Sequence, residues 1–590
     1  MTEQQNIAVP FSTERDDVRA LRERPRAQVL VIGGGINGVG TFRDLALQGV
    51  DVALVERGDY CQGASGASSH MIHGGIRYLE NGEFRLVKES VQERNGLLKI
   101  APHYVKPLKT TIPIFSTVSG VLNAPLRFLT HKQQGKPKER GAFLIKLGLS
   151  LYDSFSRDGG NVPRHQFQGR KKALATLPRL NSGIKYAATY FDASVHNPER
   201  LTLDVLRDGV QAGNSSGGVR AEESRARASN YLSVTEISED GVELTDQLTG
   251  ESFSFTPDLI VNTTGAWVDE TNAAMGSATS FMGGTKGSHI VLDHPELLAA
   301  CAGREIFFEH TDGRIVLIYP MGDRVLVGTT DVDADMSEDA ICTEDEIDYF
   351  FDLVGHVFPS IKVEREHIVY SFAGVRPLPK HDATQPGFVS RDYRIERADR
   401  SVAGRSIPVL SLVGGKWTTF RALSEHLSND VLALIGKERK VSTAKLSIGG
   451  GVGFPASDAA VERWILDHTS AQISAERAAV LLTRYGSRAE QVIKYLEAGT
   501  DKVLDSTYEL SLRELTYMAE HEQLGHLVDV LIRRTSLAFR GLVTEQLLAE
   551  LAEALRGPLD WSAERVQFEI KHAEFVLDRF HRVQVQDLVA

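Results

Sequence analysis

Cysteine is nearly absent from this chain of 590 residues: only Cys61, Cys301 and Cys342 occur, far apart. No Cys-x-x-Cys pair or Cys/His cluster is present, which excludes a disulfide framework and a zinc site of the usual spacing. A reducing, cytoplasmic setting fits. Long apolar runs are also missing. Nowhere do about 18 consecutive apolar residues occur, so no membrane span is expected. The first 26 residues are rich in charge, with Glu14, Arg15, Asp16, Asp17, Arg22, Glu23 and Arg24, and lack the apolar core of a secretory signal. There is no excess of positive charge. The formal net charge is −12, which argues against nucleic acid as a partner. No internal repeat or long low-complexity tract is found. Asp331 and Asp333 are neighbouring acids, but no EF-hand pattern follows them, so no metal site is assigned.

What is present is an ordinary globular composition, 42% hydrophobic and 24% charged, long enough for two or three domains. Its most informative stretch runs from Gln28 to Glu56. The apolar run Val29 to Ile32 predicts a buried strand. Gly33, Gly35 and Gly38 follow at GxGxxG spacing, with Asn37 inside the turn. A helix is predicted to Gln48, then a second strand from Val52 to Val55 that ends in Glu56. Gly33 allows the tight turn, Gly35 lets a pyrophosphate approach the backbone, and Gly38 lets helix pack close to strand. The helix N-terminus offers N–H groups to phosphates. Glu56 can accept hydrogen bonds from an adenosine ribose. A glycine-rich turn alone is a weak signal; strand, helix and terminal acid in this order make it a dinucleotide site.

The next stretch, DYCQGASGASSHMIHGGIRYLE, is small and polar from Gly63 to Ser69, so backbone can pass close to a ligand. Ser65, Ser68 and Ser69 add hydroxyls. His73, Gly74, Gly75, Arg77 and Tyr78 then place a base, two glycines, a cation and a phenol within six residues. Glu83 to Ile100 reads as a helix whose Phe84, Val87, Val91 and Leu98 form a core stripe.

This order of motifs resembles the FAD-dependent glycerol-3-phosphate dehydrogenase family, the aerobic, quinone-linked branch. The resemblance is carried by the GxGxxG turn, SGASS-H-x-x-HGGIRYLE, APHYVKP, TTGAWVD (263–269), KGSHIV (286–291), VGTTD (327–331), SFAGVRPL (371–378), SRDY (390–393) and VGGKWTTFR (413–421). It spans most of the chain. It implies an α/β, Rossmann-like flavoprotein of the two-dinucleotide-binding-domain type, akin to glutathione reductase and D-amino-acid oxidase, with a mixed-sheet substrate domain and an all-helical C-terminal domain. The corresponding boundaries are 1–26 (extension), 27–115, 186–272 and 371–440 (FAD-binding segments), 116–185 (a substrate-side segment with a basic insertion), 273–370 (substrate domain) and 446–590 (helical domain).

Within that frame several local readings follow. Lys185 to Tyr190 is a strand, and a helical stretch begins in Asp192–Arg200. Tyr231 to Phe255 alternates as strands around turns. Asp258 to Asn262 is a buried strand running into Gly265, where backbone would pass the cofactor. Arg314–Tyr319 and Arg324–Gly328 form an antiparallel pair. Gly414 and Gly415 open a helix at Trp417 or Thr418, whose N-terminus can stabilise negative charge on a reduced flavin. Ser487 and Glu490 have capping-box spacing. Arg533 and Arg534 read as a structural ion-pair set.

The resemblance implies FAD as cofactor and sn-glycerol 3-phosphate as substrate, oxidised to dihydroxyacetone phosphate, with a membrane quinone as acceptor. Arginine suits the phosphate because its planar fork binds oxyanions bidentately. By resemblance Arg77, Tyr78, Thr330, Arg376 and Arg391 contact substrate. His289 is the first candidate base, His73 the alternative, with Arg376 and Lys416 completing the catalytic set. Gly33, Gly35, Asn37, Gly38, Glu56, Ser65, Ser68, Ser69, Gly265, Gly415, Lys416, Thr418 and Thr419 face FAD. Basic residues between Arg127 and Arg140, followed by Phe143, Leu144, Leu147 and Leu151 at helical spacing, suit an anionic membrane surface over 126–155. A homodimer at the inner face of the cell membrane is expected. Alternatives are an oxidase passing electrons to oxygen, a dehydrogenase of a longer polyol phosphate such as erythritol phosphate, and a flavin-binding regulator without turnover.

Overall fold

The computed structural model describes residues 14–75, 84–116, 142–156, 163–214, 225–310, 314–336, 338–380 and 392–585. Among these, the strands form two sheets. At the centre of the first lies Arg26–Ile32, whose side chains from Val29 onward are buried. It pairs in parallel with Val52–Val55 on one side and Ser252–Asn262 on the other. Ala226–Ser229 continues the first direction and Arg405–Val413 the second, both parallel. Arg394–Val402 closes one edge antiparallel. A strand buried on both faces reads as a continuous apolar run, as in Val29–Ile32, Val52–Val55 and Leu259–Val261. Helices Ile36–Leu47, Pro198–Asn214 and Phe420–Leu434 supply Phe42, Leu206 and Leu427 to the core on one face.

The second sheet is mixed. Its organising strand, Thr285–Leu292, pairs antiparallel with Arg324–Gly328, Val332–Asp333 and Ile368–Arg376. The sheet then runs through Ile315–Met321 and Glu305–Glu309 to Val105–Ile114 and Tyr186–Val195. Three segments therefore differ from the boundaries drawn on sequence. Val105–Ile114 and Tyr186–Val195 pair with each other in this sheet and not in the dinucleotide sheet, and Ser371–Arg376 belongs here too. Nothing local distinguishes such strands; their partners are set by the tertiary fold. The strand beginning at Tyr186 also outruns its expected end. It reaches Val195 because Asp192 is buried against Arg94 at 3.0 Å, and the helix begins only at Pro198, a residue suited to a first helical turn.

Glu305 is buried in this sheet with Thr110 Oγ1 donating to its Oε2 at 2.7 Å. Burial raises its carboxyl to about 8, with the Asp192 charge adding to the rise against the Thr110 bond. A folded-state value above the unfolded one means that the folded chain holds a proton which the unfolded chain releases, so stability falls as pH rises through this range. Glu305→Gln removes that dependence. Its gain in unfolding free energy over wild type should grow from pH 5 to pH 8 and level off above, as read by urea melts across pH.

The C-terminal part is helical, as expected: Asp458–Asp467, Ala475–Tyr485, Ala489–Glu497, Leu512–His521, Glu545–Arg556 and Ala563–His581. Ser457, Ser474, Thr544 and Ser562 cap their helices by accepting backbone N–H bonds. The predicted capping box at Ser487 does not form. Gly486–Arg488 is a 3₁₀ turn, and Arg488 takes the cap position without a side-chain bond. This helical unit shares one core with the second sheet through Val291, Leu317, Tyr370 and Phe372. Arg533 and Arg534 are the ion-pair set expected. Both bind the buried Asp59, just beyond the dinucleotide strand, at 2.5 and 2.7 Å.

Candidate active site

At the C-terminal end of strand Arg26–Ile32 the chain turns through Gly33. A Cβ on Gly38 would sit 1.9 Å from the Gly33 carbonyl oxygen, so helix and turn can meet only with glycine there. The helix that follows has Gly35 at its cap position and no side-chain cap. Of its first N–H groups, that of Ile36 donates to Ser65 Oγ at 3.0 Å. Asn37 Oδ1 is buried with no hydrogen-bond partner among the described residues. Glu56 ends the next strand, and its carboxylate accepts from the N–H groups of Gly34 (2.6 Å) and Gly58 (2.9 Å). Burial raises its pKa against those bonds. An uncapped helix start, a glycine turn, a strand-end acid and an orphaned amide oxygen together fit the phosphates and sugar of a dinucleotide.

Three segments distant in sequence meet beside this turn. Gly415, at φ +111°, has so little space that a Cβ would lie 2.9 Å from Asn37 Nδ2. The Trp417 indole N–H donates to the Ser65 carbonyl at 2.9 Å. Thr418 Oγ1 lies 3.2 Å from both the N–H and the carbonyl of His73. The helix expected from Trp417 starts later, at Phe420, with Thr419 as its cap residue; the intervening residues are spent on these contacts. Lys416 and His73 are half-buried here. Gly265 adopts φ +64° at the end of the Ser252–Asn262 strand. Ser68 Oγ accepts from the His70 N–H at 3.3 Å. Gly74 is anchored from behind: its N–H donates to Asp192 at 3.1 Å and to the Tyr152 hydroxyl at 3.0 Å.

The second sheet brings His289 and Arg376 to the same place. Both glycines of the flanking motifs make room for them. A Cβ on Gly287 would lie 1.9 Å from Arg376 Nη2, and one on Gly328 would lie 2.1 Å from His289 Cδ2. His289 is 2% exposed, stacks on Phe372 (4.8 Å between centroids, 12° between planes) and places Nε2 2.8 Å from Ser69 Oγ. Its Nδ1 is buried with no hydrogen-bond partner among the described residues. Burial first, then the charge of Arg376 and the neighbouring His70, hold its pKa well below the ordinary histidine value. Both effects favour the neutral imidazole. Arg376 is fixed by Asp331 (3.1 Å), Thr329 Oγ1 (2.8 Å) and the Thr330 carbonyl (2.9 Å). Thr330 reaches the site through that carbonyl. Its hydroxyl donates to Glu346 at 2.6 Å and accepts from the Ser288 N–H, and the residue is 1% exposed.

Arg77, Tyr78 and Arg391 lie outside the described residues, as does the basic stretch 117–141. Three residues that shape the site escaped the sequence reading: Asp331, which orients Arg376; Phe372, which stacks on His289; and Glu346, which holds Thr330, Ser288 and Lys286. Asp331 and Phe372 stand inside the motifs already noted, and Glu346 closes a capping box with Thr343; only their partners were hidden.

A dinucleotide turn beside a sheet that carries a buried histidine and a fixed arginine suits a dinucleotide-dependent oxidoreductase, and the family match makes it a flavin-dependent one. The family described as FAD dependent oxidoreductase matches residues 28–392, and the C-terminal domain of alpha-glycerophosphate oxidase matches residues 441–566. A glycerol-3-phosphate dehydrogenase from a Synechocystis strain is 32% identical over 93% of this chain and 96% of its own length. An aerobic glycerol-3-phosphate dehydrogenase of Staphylococcus haemolyticus is 29% identical over 88% of each chain. The crystal structure of a glycerol-3-phosphate dehydrogenase from Bacillus halodurans, complexed with FAD, matches with a TM-score of 0.70 over 95% of this chain and 97% of that one, at 23% identity. The chain belongs to the FAD-dependent glycerol-3-phosphate dehydrogenase family, and FAD is its cofactor. No described helix is long and apolar enough to cross a membrane.

Proposed function

We propose that this chain oxidises sn-glycerol 3-phosphate to dihydroxyacetone phosphate and passes the electrons to a membrane quinone. The observation that carries the reading is that His289, beside Ser69, and Arg376, whose charge reaches it, are each seated in a glycine cradle on the same sheet. FAD, when bound, supplies the two-electron acceptor for the hydride from C2. The chain's own residues bind, orient and manage the proton. Arg376, held by Asp331, presents a fixed cation to the oxygen that develops charge. Arg77 and Arg391 would clamp the phosphate with Tyr78, and Lys416 would stand between substrate and flavin. His289, being neutral, can accept the C2 hydroxyl proton without first losing one. Burial is the larger cause of the low His289 pKa; a phosphate dianion near Arg376 offsets only the smaller part due to the Arg376 charge. His73 is the second candidate for the base.

The names of the relatives support the substrate. Oxygen as acceptor is kept as a second reading because the C-terminal match is to an oxidase domain. Turnover with a short-chain quinone and no peroxide supports the dehydrogenase; stoichiometric peroxide in air and no quinone reduction overturns it. A higher kcat/KM for erythritol 4-phosphate would move the substrate to a longer chain. Absence of turnover with either would leave a flavin-binding regulator.

Attachment to an anionic membrane surface belongs to the same proposal. Helix Ala142–Ser156 buries Ala142, Leu149 and Tyr152 against Val91 and Tyr190, yet leaves Phe143 and Leu147 63% and 51% exposed, with Lys146 beside them. Exposed apolar side chains one turn apart, next to the basic stretch 127–140, suit a lipid headgroup boundary. Phe143→Ser with Leu147→Ser, and separately deletion of 126–141, should lower binding to anionic liposomes several-fold while soluble-acceptor turnover persists. Unchanged sedimentation with liposomes would remove this segment as the anchor.

A further inference from the structure

Where helix Pro198–Asn214 meets the C-terminal helices lies a cavity of about 300 Å³. Arg200, Arg484, Arg534 and Arg540 line it, with Glu509 as the acid among the lining residues. We propose that this cavity is a binding site for a small phosphate-bearing ligand, separate from the catalytic centre.

Three of the four guanidiniums are built into the fold. Arg200 is 3% exposed, Arg484 7% and Arg534 0%. Each is held by a carboxylate: Arg200 by Glu522 (2.6 Å), Arg484 by Glu514 (2.6 Å) and Arg534 by Asp59 (2.7 Å). None of those three carboxylates lines the cavity. The pairs repay the desolvation of the arginines and lock their orientation, while the cavity wall itself carries four cations and one anion. The Arg534 fork is filled by Asp59 and the Glu522 carbonyl, so it shapes the wall. Arg200 and Arg484 each spend only Nη1 on protein acceptors, and the donors they keep, from two separate chain segments, suit a tetrahedral oxyanion. Arg200 adds a second sign. Its Nε is buried and has no hydrogen-bond partner among the described residues, although its guanidinium carbon lies 4.6 Å from the Tyr485 ring centroid. A buried N–H left unpaired is costly, and an oxyanion would satisfy it.

The fourth arginine gives the entrance. Arg540 is 27% exposed and shares Glu509 (2.5 Å) with the wall. Val480 and the exposed Tyr508 ring offer an apolar side for the carbon part of an ester. The volume is at the lower bound of small-molecule sites, which fits a ligand of metabolite size.

Two variants test the site without touching the pairs of Arg200, Arg484 and Arg534. Thr483 lines the cavity from an exposed helix position, so Thr483→Glu introduces a carboxylate that occupies the place of the ligand. Arg540→Gln removes the entrance cation. Holoenzyme is titrated calorimetrically with inorganic phosphate, alongside Arg376→Ala as the control for the catalytic centre. The expected result is a phosphate isotherm in wild type and in Arg376→Ala that weakens at least tenfold in Thr483→Glu and Arg540→Gln, with melting temperatures unchanged. Wild-type affinity in both cavity variants, loss of all phosphate binding in Arg376→Ala, or no phosphate binding by wild type at all would overturn the proposal. A parallel titration with phenyl phosphate separates the two sources of the group: tighter binding than inorganic phosphate identifies an ester, equal or weaker binding the free ion.

Discussion

Arg376→Ala should lower kcat/KM by roughly 10²–10³-fold while the protein retains its FAD. The size follows from what the residue is built to do. Its guanidinium is fixed at three points, by Asp331, Thr329 and the Thr330 carbonyl, and Gly287 leaves the space it fills. A cation held this way loses little entropy when a charged oxygen forms beside it, so its removal is felt in the transition state more than in folding. The dinucleotide turn lies on the other sheet and makes none of these contacts, so flavin content should not change. The variant also lifts one of the charges that depress His289, and the acidic limb of its residual pH profile should move to higher pH. Arg376→Lys should recover only part of the loss, because a point charge cannot reproduce the fork. Turnover within a factor of three of wild type would place the oxyanion partner elsewhere.

Asp59→Ala should destabilise the protein by roughly 3–5 kcal/mol and weaken FAD retention. Burial alone would raise the Asp59 carboxyl, but Arg534 and Arg533 hold it well below the usual carboxylate range. Both arginines are themselves buried, and Asn230 donates a further bond at 2.7 Å. Without Asp59 a guanidinium with no exposed surface loses its main counter-charge, which costs far more than a surface pair. The effect should reach the cofactor because Asp59 opens the loop that continues through Ser65 and Ser69. Asp59→Asn keeps the shape and removes the charge, so it should fall between wild type and alanine. Urea unfolding and the rate of flavin release measure both consequences. A loss below about 1 kcal/mol would mean that the helical unit is held to the dinucleotide sheet chiefly by its apolar core.

The dinucleotide unit was legible because its signals are local. A run of buried strand residues, glycine at fixed offsets and an acid at the next strand end all lie within Gln28–Glu56. The helical C-terminus was legible for the same reason, since helical periodicity is read within a few turns; its Ser and Thr caps appear only in the structure. What stayed hidden depends on pairing at long range. Val105–Ile114 and Tyr186–Val195 look like any other strands, and only their mutual register shows that they build the second sheet. Thr330 was placed against substrate, yet its hydroxyl is spent on Glu346, sixteen residues on. Ser487 and Glu490 had capping-box spacing, but the tight Gly486–Arg488 turn took the backbone there instead. Gly287 and Gly328 stood in the motifs without a stated purpose; the structure supplies it in the volumes of Arg376 and His289.

The most direct test mixes FAD-loaded protein with sn-glycerol 3-phosphate in a stopped-flow cell without oxygen and follows the flavin absorbance band. Rapid bleaching is expected with the natural enantiomer, slow bleaching in Arg376→Ala, and recovery of the band when a quinone is added. Flavin that stays oxidised in the wild-type protein at saturating glycerol 3-phosphate would contradict the assignment of His289 and Arg376 to that substrate.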